Sequence, residues 1–211
     1  MTSRLLYVID PMCSWCWGFA PVARQLVEQA RTAGVPLALV MGGLRTGQGA
    51  ALEPTTKRYI LEHWHAVHDA TGQPFRFEDA LPEGFVYDTE PACRAVVTAR
   101  RLDEDCAWAL VGEIQRAFYA EGRDVTQASV LSELAERVGL PRIEFAEAFD
   151  SQDNHLATLA DFSWARDLGI AGFPTLLAER DGQLALLTNG YQPLGELAPL
   201  LQRWLERGRH A

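Results

Sequence analysis

The sequence predicts an α/β fold in which a βαβ unit and a closing ββα unit form one domain, with an all-helical block inserted between them. Two short apolar runs with strand-forming residues flank one amphipathic helix at the start of the chain, and strand patterns return only after well over a hundred residues. With 211 residues, 48% of them hydrophobic, the chain is long enough to bury the core of one large domain or two small ones.

The first unit is predicted from residues 4–41. Residues 4–9 (RLLYVI) are typical of a buried strand, and apolar residues from Phe19 onwards recur at steps of three and four until Gly34 ends the helix. Residues 37–41 (LALVM) predict a second buried strand. Strands joined by a helix within about 40 residues are parallel, with a right-handed crossover.

Helix patterns replace strand patterns after Gly42 and Gly43. Proline near helix starts and glycine after helix ends help to place the boundaries, and Thr126 is the expected cap of the fourth helix. The predicted helices of the inserted block cover residues 54–71, 91–102, 105–120, 127–138, 142–149 and 154–168.

Strand patterns return at residues 175–179 and 184–188, and a helix over residues 193–207 closes the chain. Asp181-Gly182 between the two strands favours a type I′ hairpin turn. We therefore expect residues 1–46 and 170–211 to form one α/β domain and residues 47–169 to form the inserted helical domain.

Composition excludes several classes of function. A formal net charge of −9 disfavours nucleic acid as a partner. No apolar run approaches the roughly 18 residues that a membrane-spanning helix needs, and the opening MTSRLLYVID lacks the pattern of a secretory signal, so we expect a cytoplasmic protein without a membrane partner. Four cysteines are too few for a disulfide scaffold, and a close pair of them indicates catalysis or metal binding.

That close pair is Cys13 and Cys16, in the sequence CSWC between the first strand and the first helix. The exposed N–H groups and the positive end of the helix dipole at this position favour a thiolate at Cys13. Cys16 lies one helical turn further on and can attack a mixed disulfide formed at Cys13. The spacing predicts a redox pair in which Cys13 attacks and Cys16 resolves.

Other interpretations of this pair compete with redox chemistry. A structural zinc site would need more ligands, and Cys93 and Cys106 do not form a second CxxC, so no metal site is predicted. Ordinary core packing is disfavoured because CxxC at a strand-to-helix turn is typical of redox proteins. A redox fold retained only for binding stays open.

A second motif, Gly172-Phe173-Pro174-Thr175, precedes the returning strand. Proline at the start of a strand beside a redox CxxC indicates a cis peptide bond that shapes the loop facing the thiols. The alternative is an ordinary trans proline at a strand entry.

Taken together, CSWC, GFPT and the helical block between them resemble the DsbA-type branch of the thioredoxin superfamily. The segments DPMCSWCWGF, TGQPF and EPACRAV are similar to its cytoplasmic protein-disulfide isomerase-like members, the FrnE-like branch. The resemblance implies a thioredoxin-like fold, Cys13 as nucleophile, Cys16 as resolving thiol and Pro174 as the cis-proline. It also implies that the backbone of Phe173 pairs with an extended peptide or with glutathione.

The chain departs from the oxidising periplasmic members, which carry Pro-His between their cysteines. Ser14 and Trp15 supply no cation to hold a thiolate, so we expect a more reducing pair suited to a disulfide reductase or isomerase. The expected partners are protein or peptide thiols and disulfides. No cofactor is expected, apart from glutathione as a co-substrate.

Three further residues are weighed for the chemistry. Cys93 lies on an apolar helix face and is predicted to be a core residue, unless that helix packs over the site and makes Cys93 a third thiol. Asp10 has two equally weighted interpretations, a proton acceptor for Cys16 or a local cap. Cys106 follows three acidic residues, which disfavour a thiolate, and is given no role.

The aromatic residues around the pair predict an apolar, substrate-facing rim. Trp15 and Trp17 are its candidates, with Ser14 between the cysteines also assigned to substrate binding, whereas Phe19 belongs to the core stripe of the helix. His65 and His68 share one helix face, but ligand pairs on a helix usually lie four residues apart, which disfavours a metal site.

Two rival functions remain. A glutathione-dependent transferase or isomerase resembling the kappa class would share the inserted architecture, although such enzymes typically carry serine at the nucleophile position. A non-enzymatic adaptor that binds client proteins is the second rival, and only dependence on the thiols would distinguish it.

Overall fold

The computed structural model describes residues 2–208, and residues 1 and 209–211 lie outside that range. The described chain follows the predicted order of elements closely, with most boundaries within one or two residues. The elements are β1 (Ser3–Ile9), α1 (Ser14–Thr32), β2 (Leu37–Met41), α2 (Pro54–Thr71), α3 (Glu90–Leu102), α4 (Glu104–Tyr119), α5 (Ala128–Arg137), α6 (Arg142–Phe149), α7 (Gln152–Asp167), β3 (Thr175–Arg180), β4 (Gln183–Asn189) and α8 (Leu194–Arg207).

One mixed sheet of four strands carries the fold, in the order β2-β1-β3-β4. Strand β1 is parallel to β2 and antiparallel to β3, and β3 is antiparallel to β4. Asp181 and Gly182 connect β3 to β4 with φ values of 49° and 79°, and positive φ at both central residues is the requirement of a type I′ turn. This α/β architecture confirms the predicted thioredoxin-like fold class.

The core lies on both faces of the central strand β1, whose residues from Leu5 to Ile9 are all buried. On one face Tyr7 makes edge-on ring contacts with Phe19 of α1 and with Trp108 of α4. Hydrophobic residues run continuously through this strand because helices cover both sides of the sheet.

Helix α7 covers the outer edge of the sheet at β2. The Asp161 carboxylate accepts a hydrogen bond from the Met41 backbone N–H (2.9 Å) and pairs with both terminal nitrogens of Arg100 on α3 (2.9 and 3.0 Å). The division into domains 1–46 with 170–211 and 47–169 stays a prediction. Helix α7, which that division assigns to the inserted block, packs directly against the sheet.

The TGQPF segment (residues 71–75), at the end of α2 and in the loop after it, forms hydrogen bonds with α1. Pro21 lies inside α1 and has no N–H, so it cannot supply the helical hydrogen bond to the Trp17 carbonyl four residues earlier. The Gln73 side-chain amide donates to that carbonyl instead (2.8 Å), and Trp17 Nε1 donates to the Pro74 carbonyl (2.9 Å). This pairing gives the motif a structural role close to the cysteine pair.

The cap predicted for the fourth helix of the block is wrong. Helix α5 begins at Ala128 with Gln127 as its N-cap, and no side chain caps it. The Thr126 hydroxyl donates to the Asp124 carboxylate (2.6 Å), which also accepts from the Thr126 backbone N–H. Thr126 is therefore part of a turn that Asp124 stabilises before the helix.

Candidate functional site

Cys13 occupies the N-cap position of α1, directly after the turn that follows β1. Its backbone has extended dihedral angles (φ −88°, ψ 119°), and its carbonyl accepts the Trp17 N–H (3.1 Å) as the helix begins. The Cys13 side chain is 6% exposed, and its Sγ lies 3.6 Å from the Phe173 carbonyl oxygen, to which it donates. The thiol therefore sits at the positive end of a helix and faces the GFPT loop.

Cys16 lies one turn further along α1 and is fully buried. Burial raises the pKa of the Cys16 thiol well above its ordinary value of 9.0, and the neighbouring Cys13 sulfur raises it further. All four cysteines are free thiols. The deeper thiol thus holds its proton in the reduced protein, as a resolving cysteine does until a base removes that proton.

The GFPT loop lies across from the cysteines, and its Phe173-Pro174 peptide bond is cis. A Cβ placed on Gly42 would lie 2.2 Å from the Phe173 ring, so the ring packs directly on the Gly42 backbone at the end of β2. The Thr175 hydroxyl donates to the Gly172 carbonyl (2.8 Å) and closes the loop. The loop is thereby held against the strand ends, with the Phe173 side chain half-buried.

Asp10 is a fully buried carboxyl group between β1 and the cysteines. One oxygen accepts from the Met12 N–H (2.8 Å), and the other accepts from the Leu44 N–H (2.7 Å) in the loop after β2. The first contact closes a turn before α1 and does not cap the helix, because Met12 precedes the N-cap residue Cys13. Burial raises the pKa of the Asp10 carboxyl, and hydrogen bonds from its neighbours oppose that rise in part.

The third thiol of the region comes from α3. Cys93 is fully buried, and its Sγ donates to Asp10 Oδ2 at 3.4 Å. Burial raises the pKa of the Cys93 thiol well above 9.0, and the Asp10 charge raises it further. Helix α3 therefore packs against the site. This packing is the condition under which the sequence allowed Cys93 a role in the chemistry, and the observed contact of Cys93 is with Asp10.

The apolar rim is smaller than the sequence predicted. Trp15 is half-buried and its ring lies 5.8 Å from that of Tyr191, and Ser14 is also half-buried. Trp17 does not lie on the rim, because it is 7% exposed and stacks on Tyr119 with ring centres 6.2 Å apart. The side chain at position 17 of α1 faces the inserted helices. Helical spacing shows which residues share a face of α1, but it does not show which element covers that face.

Sequence reasoning missed two contributors. The Tyr87 hydroxyl donates to the Met12 carbonyl (2.5 Å) and so braces the segment before Cys13, and no motif in the sequence marks it. Leu44 contributes only its backbone N–H to Asp10. The adjacent Gly42-Gly43 pair is a sequence signal that could have indicated a close approach at this loop.

The remaining candidates lie away from the cysteine pair. His65 stacks on Phe77 with ring centres 3.9 Å apart, and His68 Nδ1 is 2.7 Å from the Gln73 carbonyl oxygen. Cys106 donates to the Val138 carbonyl (3.2 Å). Among residues 2–208, no group of three or more His, Cys, Asp and Glu side chains comes together as a metal site would require. In the same range, no helix is both long and apolar enough to cross a membrane.

Residues 4–202 match the DSBA-like thioredoxin domain family, which is nearly the whole chain. The protein belongs to this family. The family accounts for the order of strands and helices, and the matched residues include the CxxC and GFPT segments of this chain.

Solved structures of DSBA-like proteins are similar over their full length. A candidate protein disulfide isomerase from Nitrosomonas europaea is 43% identical with a TM-score of 0.91, and the match covers 98% of this chain and 99% of that one. The cytosolic disulfide reductase DsbM from Pseudomonas aeruginosa is 33% identical with a TM-score of 0.78, covering 95% and 98%. A structure of DsbM with GSH is 29% identical with a TM-score of 0.74, covering 99% and 100%.

A different function is recorded for a more distant relative. The ClpXP adapter protein SpxH from Bacillus subtilis is 25% identical over 174 residues, which is 80% of this chain and 55% of SpxH. The chain therefore spans little more than half the length of that relative.

Proposed function

We propose that the protein is a cytoplasmic thiol-disulfide oxidoreductase, a disulfide reductase or isomerase, in which Cys13 exchanges with the substrate and Cys16 resolves. The observation that carries the proposal is the position of Cys13 at the N-cap of α1, facing the Phe173 carbonyl beside Pro174, with the protonated Cys16 thiol one turn below. The similarity to cytosolic DsbM supports both the chemistry and the compartment.

The reaction proceeds in two exchanges. The Cys13 thiolate attacks one sulfur of a substrate disulfide, which forms a mixed disulfide and releases the other substrate sulfur as a thiolate. Cys16 then loses its proton and attacks Cys13 Sγ, so the bond to the substrate breaks and the second substrate sulfur leaves. The substrate disulfide gains two electrons, and the Cys13-Cys16 pair becomes the disulfide. Two equivalents of a partner thiol, with glutathione as the candidate, return the pair to its reduced form and become a disulfide themselves.

Asp10 is the proposed proton acceptor for Cys16. Its carboxyl group is buried near the pair, and its charge acts to raise the pKa of the Cys16 thiol, whereas a hydrogen bond with the Asp10 backbone lowers that pKa. A base within the protein is needed near neutral pH, because hydroxide is scarce there and the fully buried Cys16 is not in direct contact with bulk water. This role adds to the hydrogen bond that Asp10 accepts from the Met12 N–H.

The substrates proposed are extended peptides with a cysteine or disulfide, and glutathione. The half-buried Phe173, Trp15 and Ser14 surround Cys13 and offer an apolar surface beside a strand end. A peptide that pairs with the Phe173 backbone would bring its sulfur to Cys13. The structure of DsbM with GSH supports glutathione as a ligand of this surface.

The proposed direction is reduction. Strongly oxidising pairs stabilise their reduced thiolate, and neither Ser14 nor Trp15 supplies a cation for that purpose. The Cys13 thiol instead faces a carbonyl oxygen, which accepts from the protonated form. A couple that gains little from thiolate stabilisation is a better reductant.

The test is the reduction potential of the pair in glutathione buffers, read from thiol trapping and tryptophan fluorescence. Reducing proteins with a thioredoxin-like fold have potentials of about −270 mV, and strongly oxidising ones have potentials of about −120 mV. A value of about −250 mV or lower for this pair therefore supports a reductase. A value of about −180 mV supports an isomerase. Cys13→Ser should abolish the transition, and Cys106→Ser is the matched control that should leave it unchanged. If no Cys13-Cys16 disulfide forms at any poise, the proposal fails.

A non-enzymatic adaptor is the second candidate, supported by the similarity to SpxH. The two candidates differ in their dependence on thiols. An adaptor should bind its client equally well after Cys13→Ser, whereas an oxidoreductase should lose the mixed disulfide with its substrate. Trapping substrates with Cys16→Ser, which stabilises the mixed disulfide, separates the two.

A further inference from the structure

The surroundings of Asp10 pose a problem for its use as a base. Each of its oxygens already accepts a backbone hydrogen bond, from Met12 to Oδ1 and from Leu44 to Oδ2, and Cys93 donates to Oδ2 as well. The carboxyl group is fully buried. A proton arriving on it needs a hydrogen-bond acceptor, since an unpaired buried O–H is destabilising.

Few of the neighbours can serve as that acceptor. Backbone N–H groups can only donate, so Met12 and Leu44 serve the charged carboxylate alone. A thiol can donate through its hydrogen or accept through its sulfur. The Thr89 hydroxyl also faces the carboxyl group, and its oxygen, which accepts from the Arg45 N–H (3.2 Å), keeps a second lone pair. Of the two side chains, the Cys93 thiol is the one that hydrogen-bonds Asp10 directly, at 3.4 Å, and it is therefore placed to change roles.

We infer that Cys93 is a positioning residue that lets Asp10 take and release the proton of Cys16. In the reduced protein the Cys93 thiol donates to the Asp10 carboxylate. When the proton moves from Cys16 Sγ to Asp10, the thiol rotates and its sulfur accepts from the new carboxyl O–H. The inference rests on the proposed oxidoreductase function and assigns Cys93 a part in proton transfer, with no disulfide of its own.

The balance of the step is simple. Cys16 Sγ–H and the Asp10 carboxylate become a thiolate and a carboxylic acid, and the Cys16 thiolate then uses an electron pair to attack Cys13 Sγ. The bond between Cys13 and the substrate breaks, and the substrate leaves as a thiolate. Cys93 exchanges no electrons and keeps its own proton throughout.

The charge around Asp10 is consistent with this assignment. Arg45 lies over the Tyr87 ring (5.6 Å), and the ionisable groups whose charge interacts with Asp10 are acids that are neutral when protonated. They are Cys16 of α1, Cys93 of α3, Tyr119 of α4 and Tyr87 of the segment before α3. Hydrogen bonds therefore do most to balance the two charge states of Asp10, and the Cys93 thiol and the Thr89 hydroxyl are the neighbours that can both donate and accept.

The experiment separates the two exchanges with 5,5′-dithiobis(2-nitrobenzoate), a small disulfide with a coloured leaving thiolate. Attack by Cys13 releases one equivalent, and resolution by Cys16 releases the second from the mixed disulfide. The variants are made in a Cys106→Ala background, because Cys106 is partly exposed and would react with the reagent as well. Both rates are measured over a pH series with Cys93→Ala, Cys93→Ser and the packing control Val97→Ala, a buried residue one turn along the same helix.

The second release should be about tenfold slower in Cys93→Ala near neutral pH, with the first release unchanged. Cys93→Ser should restore it to within about threefold, because a hydroxyl also donates and accepts. The deficit should vanish at alkaline pH, where hydroxide rather than Asp10 takes the Cys16 proton. An equal slowing in Val97→Ala, or a deficit that does not depend on pH, overturns the inference.

Failure of the proposed function has a different signature. If the parent protein releases only one equivalent, Cys16 does not resolve the mixed disulfide, and the oxidoreductase assignment itself fails. If both equivalents are released at rates that Cys93→Ala does not change, the pair is a working oxidoreductase and the part assigned to Cys93 is wrong.

Discussion

Replacing Gln73 with alanine should destabilise the protein only while Pro21 is present. The Gln73 amide supplies the hydrogen bond to the Trp17 carbonyl that the N–H of residue 21 would make in an uninterrupted helix. In Pro21→Ala the helix can satisfy that carbonyl itself. The two residues should therefore be strongly coupled in stability, although they belong to different elements.

The magnitude follows from the burial of this contact. A typical hydrogen bond contributes about 1 kcal/mol, and a buried carbonyl left without a donor loses about 1–3 kcal/mol. Trp17 is buried and Gln73 is half-buried, which favours the lower part of this range. We expect Gln73→Ala to lower the free energy of unfolding by about 1.5 kcal/mol with Pro21 present and by about 0.5 kcal/mol or less in the Pro21→Ala background.

Urea denaturation of the four proteins under reducing conditions, followed by tryptophan fluorescence and circular dichroism, measures the coupling energy. Gln48→Ala is the matched control, because Gln48 is an exposed glutamine whose amide bonds the nearby Thr46 carbonyl. It should change stability by less than about 0.5 kcal/mol. If Gln73→Ala has the same effect with proline and with alanine at position 21, the account of this motif is refuted.

Two other outcomes follow from the site. Gly42→Ala should lower the free energy of unfolding by about 1–3 kcal/mol and slow disulfide exchange, because the added Cβ would displace the Phe173 ring. Gly49→Ala, with open space around the added Cβ, should do neither. If the two variants behave identically in denaturation and exchange assays, the packing of Phe173 on Gly42 is contradicted. In alkali, the unfolded chain should ionise Cys16 and Cys93 near pH 9.0 while burial keeps their pKa higher in the native state, so the native state binds more protons and stability falls as pH rises. Each thiol should add up to about 1.4 kcal/mol per pH unit to that fall, and Cys93→Ser should remove one such contribution; an unchanged slope in reducing buffers above pH 9.0 counts against the burial of Cys93.

Local patterns in the sequence were enough to predict the elements and the reactive pair. Alternation and helical periodicity depend on neighbours a few residues apart, so β1, α1 and the hairpin at Asp181-Gly182 were predicted close to their observed limits. The cysteine pair is local for the same reason, since both thiols lie within one turn of a helix start. Thr126 is the exception, because Asp124 competes for its hydroxyl before the helix begins.

The surroundings of the pair were decided only by tertiary structure. Asp10 meets Leu44, 34 residues later, and Cys93, 83 residues later, and no spacing rule links these positions. Trp17 looked like a rim residue until the inserted helices were seen to cover it. The sequence by itself determines which thiols can react, whereas the burial and hydrogen-bond partners that set their proton affinities depend on which distant segments pack together.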